Sequence, residues 1–443
     1  MEAKLKRNFV LVGHAQCGKT SLSESILFVA GATSRKGSVA EGNTVSDYGA
    51  DEIERKISIN ASLLFLNFQG HQIQFIDTPG YADFLGEVIS SLRAVDAAVV
   101  VIDAICGIEL GTENIWNSLE ENQIPRLIFV NKMDKEGADF STILTQIKEQ
   151  LSPKAVSLED LSSPDLIEAV AETDDKLLEK YLEVGSLSEA EITPALKQAV
   201  MKAKIFPVLK GSAATDQGIK ELLTAVINYL PSPLERVTLK AIDPASEQEK
   251  PVVSSEDGSL SAFVFKNISD PYVGQLSLLR IFSGKLPSNT SFYNVTKATK
   301  ERIGQIYILL GKEQRSLETA GCGDIVTLAK LKDTEAGNSI AEEKDPLEFP
   351  PLVFPEPSIS FSVKPKSRQD EEKISQSLAK LTAEDHTFKT SRDPETKEMI
   401  ISGMGDLHLN VMVDRLKKRY NVNVELGTPK VPYKETVTKK TQI

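Results

Sequence analysis

The chain has 443 residues, enough for two to four domains that each bury a core, and its 41% hydrophobic and 26% charged content is that of ordinary water-facing folds. No run of about eighteen apolar residues occurs, which argues against a membrane protein. A formal charge of -12 and a pI near 5.1 exclude binding to nucleic acid through a general positive field, and three cysteines without CxxC spacing suggest neither a disulfide framework nor a zinc site.

The opening MEAKLKRNFVLVGHAQ passes from basic residues straight into an apolar strand, which reads as no secretory leader and predicts a reducing, cytoplasmic setting. Up to about residue 235 short apolar strands alternate with helical segments: FVLVG (9–13), SLLFLNF (62–68), QIQFID (72–77), AAVVVID (97–103), RLIFV (126–130) and FPVLKG (206–211). That alternation predicts an α/β domain around a largely parallel sheet. A polar, acid-rich stretch at about 136–204 reads as a helical insertion in this first domain, 1–235.

The first strand runs into Gly13-His14-Ala15-Gln16-Cys17-Gly18-Lys19-Thr20, followed by Ser21 and a helical run. This is the GxxxxGK[ST] pattern of a P-loop in the context it requires. Glycines at both ends let the loop amides and the helix start face phosphate oxygens, Lys19 adds positive charge, and the Thr20 hydroxyl can bind Mg²⁺. The next apolar strand ends in Asp77-Thr78-Pro79-Gly80. There a carboxylate can reach Mg²⁺ through water and a glycine amide can meet a γ-phosphate. RLIFV ends in Asn131-Lys132-Met133-Asp134, whose aspartate can accept from both N1 and the 2-amino group of guanine, and the last strand ends in Gly211-Ser212-Ala213, suited to an amide contact at guanine O6. Each of the last three motifs alone is an ordinary turn; four in order on successive strand ends predict a GTP site.

After LPSPLE (230–235), alternating runs such as LSAFVFKN, GQLSLLRIFSG, RIGQIYILL and DIVTLAKL predict a small antiparallel β-barrel over 236–345. A proline-rich linker (345–357) leads to a third unit, 346–435, in the order βαββαβ, an α+β ferredoxin-like arrangement. Its second helix carries Leu409, Met412, Val413, Leu416 and Tyr420 on one face, and the basic run Arg415, Lys417, Lys418 and Arg419 reads either as a solvated helix face or as a local docking face. The four histidines, His14, His71, His386 and His408, are scattered, and no metal cluster is expected from them.

The stretches GHAQCGKTSLSESILF, DTPGYADFLGEV, NKMDK, NYLPSP, DPYVGQLSLLRIFSG and ISGMGDLHLNV together resemble the GTPase superfamily and, more narrowly, elongation factor G and its paralogues. The resemblance spans almost the whole chain. It implies a GTPase that binds GTP or GDP with Mg²⁺ and works on the ribosome in the cytoplasm, as a monomer with neither membrane nor DNA as partner. It places a first switch up to Ser58 and a second at DTPGYADF, with Lys19, Gly80 and Tyr81 as the catalytic group and Thr20, Ser58 and, through water, Asp77 around the metal. The terminal VPYKETV resembles the start of a fourth domain, so 436–443 is expected to be its first residues, with the fourth and fifth domains absent from this polypeptide.

Several positions depart from the family pattern. Gln16 stands where an aspartate usually helps hold a monovalent cation, Ser58 replaces the switch threonine, and Tyr81 replaces the water-positioning histidine; Lys56 replaces a glycine and Ala15 a larger apolar residue. Slow hydrolysis is therefore expected. Elongation, ribosome recycling and ribosome protection all stay open, as does a GTP-dependent ribosome-binding module that hardly hydrolyses.

Overall fold

The computed structural model describes residues 1–236, 239–270 and 274–431. The expected fourth-domain start at 436–443 lies outside them. Residues 1–352 form one unit and those from 353 onward a second.

The first unit opens with a seven-stranded sheet formed by β1 (Lys6–Val12), β2 (Ser62–Phe68), β3 (His71–Asp77), β4 (Ala97–Asp103), β5 (Arg126–Asn131), β6 (Ala155–Ser157) and β7 (Phe206–Lys210), in the spatial order β2-β3-β1-β4-β5-β7-β6. Only β2 runs antiparallel, pairing with β3; the other pairings are parallel. Helices cover both faces: α1 (Lys19–Val29), α2 (Ala50–Arg55), α3 (Leu85–Ala94), α4 (Leu110–Glu121), α5 (Phe140–Gln150), α6 (Pro164–Ala171), α7 (Asp175–Val184), α8 (Glu189–Met201) and α9 (Ile219–Tyr229). Double coverage explains why β4 is buried at every residue and reads as an almost continuous apolar run, as does β1 from Phe9 to Val12; the equally buried Lys6, Arg7 and Asn8 at its start are hydrogen-bonded. Parallel order also gathers the ends of β1, β3, β5 and β7, and hence the four motifs, at one edge of the sheet.

Strand ends at 71, 131 and 210 differ by one residue from the sequence reading, and two larger differences have a physical cause. The first strand begins at Lys6 and stops at Val12, because Gly13 takes φ +146° and a Cβ there would sit 2.3 Å from the Val101 carbonyl oxygen. The insertion contains, besides its helices, the three-residue edge strand β6, which is too short to show an alternating pattern.

The antiparallel barrel follows within the same unit. Its eight-stranded sheet includes Ser261–Asp270, Gly274–Ser283, Ile306–Leu310 and Ile325–Ala329, packed around Val264, Leu279, Ile281, Ile306, Val326 and Leu328. A hairpin, Leu239–Asp243 with Gln248–Val252, precedes it and has largely exposed strands. Buried charges fasten the barrel to the first sheet: Asp96 accepts two bonds of 2.8 Å from Arg280, and Lys6 lies 2.7 Å from Asp324. Nearer the nucleotide edge, Lys266 of the barrel pairs with Glu87 of α3 and donates to the Ala61 carbonyl at 3.1 Å.

The second unit has antiparallel strands Ile359–Pro365, Lys389–Arg392, Met399–Gly403 and Val424–Gly427, in the spatial order second, third, first, fourth, with helices Arg368–Glu384 and Asp406–Tyr420. This is the ferredoxin-like arrangement. Leu409, Met412 and Leu416 enter its core with Ile374, Leu378 and Phe388. The basic run is not a uniform solvated face: Arg415 is buried, because His408, Val411, Met412 and Arg415 extend the covered side of the helix beyond the predicted stripe. Buried His408 lies 3.1 Å from Asp385, whose carboxyl is desolvated yet held at about 2, chiefly by that imidazole.

Candidate guanine-nucleotide site

The P-loop turns over the end of β1 into α1. Within it the Lys19 ammonium donates to the Gly13 and His14 carbonyls, at 2.8 Å each, and is thereby aimed across the loop. Gly80, at the end of the β3 motif, comes so close that a Cβ would lie 2.5 Å from the Lys19 nitrogen and 2.7 Å from the Ala15 amide nitrogen. Only a glycine brings its backbone to that spot. A cavity of about 220 Å³ opens here, lined by Gln16, Lys19, Thr20, Asp47, Lys56, Ser58 and Tyr81 among others.

The first switch segment is folded onto the loop. The Thr20 and Ser58 hydroxyls lie 2.9 Å apart. Buried Glu24 accepts from the amides of Gly37 and Val45 at 2.8 and 2.6 Å, and Glu52 accepts from those of Ile59 and Asn60 at 3.0 and 2.9 Å. Two carboxylates thus order a segment with little core of its own.

Behind the hydroxyls, Asp77 is buried with neither carboxylate oxygen hydrogen-bonded, and one oxygen of buried Asp47 is in the same condition. Burial pushes both carboxyls up; Asp47, which also feels Asp77 and Glu52, reaches about 8. Among the described residues no three His, Cys, Asp or Glu groups form a metal cage. Mg²⁺ does not need one: it keeps waters and takes substrate phosphates with few protein ligands. The orphaned buried carboxylate of Asp77 beside paired hydroxyls fits that ion. Asp47 is not singled out by the sequence reading, since SDYGADEIER carries no motif of its own.

At the other end, Asn131 stitches three motifs together, donating to the Cys17 carbonyl at 3.0 Å and accepting from the Ala213 amide at 2.9 Å. Lys132 donates to the Gln16 carbonyl at 2.8 Å and pairs with Asp103 at 2.5 Å. The Met133 amide reaches the Gly211 carbonyl at 3.0 Å, and the Ser212 hydroxyl donates to Asp134 at 2.6 Å, holding that carboxyl below its usual range. Asp134 is thus kept ionised, as an acceptor for two guanine donors requires.

Hydrogen bonds thus join the loop to Asn131, Lys132, Ala213 and, through Ser212, Asp134, while the cavity itself is lined at the phosphate end, by Ala15, Gln16, Gly18 to Ser21 and Gly80 of the sequence-predicted residues. Tyr81 stands at its mouth, where its hydroxyl accepts from the Gln16 amide at 3.3 Å. His14 makes a local contact, 3.4 Å from Glu109.

A P-loop, a buried carboxylate behind it and an aspartate braced at the base end of a parallel sheet define a guanine-nucleotide-binding protein. Three family models match in succession: the GTP-binding domain of elongation factor Tu over residues 4–232, elongation factor G domain 2 over 259–343 and elongation factor G domain III over 354–428. Elongation factor G of Ureaplasma urealyticum serovar 10 and of Ureaplasma parvum serovar 3 are each 38% identical over 483 aligned positions, covering 99% of this chain and 70% of theirs. A crystal structure of a protein from Thermus thermophilus superposes with a TM-score of 0.86 at 31% identity, covering 97% of this chain and 68% of that one. The chain belongs to the elongation factor G family of translational GTPases.

Proposed function

We propose that this protein binds GTP with Mg²⁺ on the ribosome and hydrolyses it slowly, serving elongation or ribosome disassembly. It works in the cytoplasm as a monomer, with domains at 1–235, 236–345 and 346–435. The observation that supports this is the gathering of four strand-end motifs at one edge of the sheet, cross-linked by Asn131, Lys132 and Ser212. Asp134 reads N1 and the 2-amino group of guanine, and the Ala213 amide faces O6. The amides of residues 13–21 and Lys19 hold the phosphates, and the Gly80 amide meets the γ-phosphate. Thr20, Ser58 and, through water, Asp77 would hold Mg²⁺, with Asp47 as a further carboxylate near Asp77. The chemistry the ion would supply there is neutralisation of charge on the phosphate oxygens.

Hydrolysis places a water in line with the γ-phosphorus, forms the new P–O bond and breaks the one to the β-phosphate oxygen, leaving GDP and phosphate. Tyr81 occupies the position from which that water is directed. Its oxygen already accepts from Gln16, and a phenol stays protonated at neutral pH, so it can orient a water but does not share its proton as an imidazole can. The same contact favours a second reading, a ribosome-bound GTP timer with little turnover.

Single-turnover hydrolysis with saturating ribosomes separates the two. Tyr81→His should accelerate the step by up to about a hundredfold while GTP affinity stays nearly constant. A fast unmodified protein that the histidine slows would reverse the account of Tyr81. Failure to co-sediment with ribosomes in the GTP state would remove both readings.

A further inference from the structure

Lys56 is the second cation on the wall of the phosphate cavity, and nothing in the protein occupies it. It lines the cavity together with its neighbours Ile57 and Ser58, as does Lys19. Lys19 spends two of its protons on the Gly13 and His14 carbonyls. Lys56, by contrast, makes no hydrogen bond or ion pair with its side chain among the described residues. Gln16, which lines the same cavity, is neutral and engaged with Tyr81.

Its backbone is the second observation. Lys56 caps the C-terminus of α2 with φ +55° and ψ +39°, its amide closing on the Glu52 carbonyl. A left-handed helix cap is glycine's place, and a residue with a Cβ there carries strain of about 1 kcal/mol. Such strain held at the rim of a ligand cavity marks a side chain with a task. The segment is also fixed, since Ser58, two residues on, is fastened to Thr20 at 2.9 Å. Lys56 is exposed at the rim of the cavity, its stem rooted in this fixed segment.

We propose that Lys56 is a catalytic residue supplied by the first switch: its ammonium bonds the terminal phosphate of GTP and balances the charge that builds there as the bond to the β-phosphate breaks. This inference rests on the guanine-nucleotide reading above. Lys19 serves both nucleotides from beneath the loop, whereas Lys56 serves only the nucleotide that reaches the rim. It therefore separates GTP from GDP as well as assisting the chemistry. Because the switch carries it, the cation leaves with the switch once phosphate departs.

The decisive variant is Lys56→Gly, since glycine relieves the backbone and cannot unfold the site by strain. Calorimetric titration of the full chain with GDP and with a non-hydrolysable GTP analogue, in Mg²⁺, should show GDP affinity within about twofold of the original and analogue affinity reduced about tenfold. Single-turnover hydrolysis should fall by about tenfold or more, with melting temperature maintained or raised. Lys56→Arg should keep most of the analogue affinity, and methylammonium should restore part of the Lys56→Gly rate by entering the vacated space. An unchanged ratio of analogue to GDP affinity in Lys56→Gly overturns the role of Lys56 while leaving the site assignment intact. An unmodified protein that binds neither nucleotide overturns the site assignment as well.

Discussion

At the base end of the cleft Asp134 accepts from Ser212, Asn131 bridges Cys17 and Ala213, and Lys132 is paired with Asp103. At the phosphate end Asp77 has no hydrogen bond to either oxygen, Asp47 lacks one, and Lys56 is unpaired among the described residues. The first region is finished by protein–protein bonds before any ligand arrives. The second holds two buried carboxyls and an exposed lysine at the rim, whose partners come with the ligand. A site of the first kind selects, because a wrong base meets fixed groups it cannot satisfy. A site of the second kind reports occupancy, because folding energy and switch order there depend on what is bound.

The comparison breaks if the base end does not select. Asp134→Asn places an amide donor where guanine offers two donors of its own, so GTP affinity should fall by about a thousandfold or more while xanthosine triphosphate gains. Competition titrations with the three triphosphates of guanosine, xanthosine and adenosine measure this directly. Equal affinity of the unmodified protein for ATP and GTP would mean that the bracing of Asp134 serves structure alone.

A smaller effect sharpens the phosphate end. The Asp47 carboxyl lies at about 8 in the folded protein, raised first by burial and then by Asp77 and Glu52, against an ordinary value of 3.8. Between those two values the unfolded chain has released a proton that the folded one keeps, so this group's stabilisation of the free protein is whole below about pH 4 and is lost as pH rises to about 8. A cation with nucleotide favours the ionised form and reverses that loss. The rise in melting temperature on adding GTP with Mg²⁺ should therefore grow from pH 6 to pH 8. Asp47→Asn should flatten that growth and stabilise the free protein at pH 8 by about 2 kcal/mol, less than the full shift implies because the amide still needs partners. A pH-independent ligand shift in the unmodified protein would show that Asp47 takes no part in metal binding.

The same contrast explains what can be read in the sequence. Base and loop motifs are legible because each is a short string whose function lies in its own backbone: glycines at 13 and 80, an aspartate three residues after an asparagine at the end of a strand. The helix Asp406–Tyr420 and the strands Ser62–Phe68 and Ala97–Asp103 match their predicted spans because their apolar periodicity is set by burial on known faces. Asp47 is illegible because its burial is made by chain folded over from Glu24 and Glu52, and nothing in SDYGADEIER distinguishes a carboxylate facing Asp77 from one facing water. Gln16 and Tyr81 each stand out as departures, yet their contact across 65 positions is a property of the sheet order alone. Arg415 escapes the sequence reading for a related reason: a helix covered on a broad side hides residues that a single stripe would leave exposed.

The smallest expected effect tests whether bracing, rather than the aspartate alone, makes the base end selective. Ser212 donates to Asp134 at 2.6 Å while its oxygen accepts from the amides of Ala214 and Thr215 at 3.2 and 3.3 Å, so one hydroxyl fixes both the carboxylate and the loop that presents Ala213. Removing it in Ser212→Ala leaves guanine's two donors satisfied, since Asp134 remains, but releases the carboxylate to turn among rotamers and raises its pKa towards the ordinary range. The cost is one charge-assisted hydrogen bond and some lost preorganisation, about 1.5 kcal/mol, or roughly a tenfold weaker GTP complex. Discrimination against ATP should weaken by a similar factor, because a mobile carboxylate tolerates adenine better than a fixed one. Affinity for inorganic pyrophosphate, which touches only the other end of the cleft, should not move. Fluorescence competition with GTP, ATP and pyrophosphate on the same preparation reads all three. A loss shared equally by pyrophosphate would show that Ser212 supports the whole cleft, and that the two ends are not built independently.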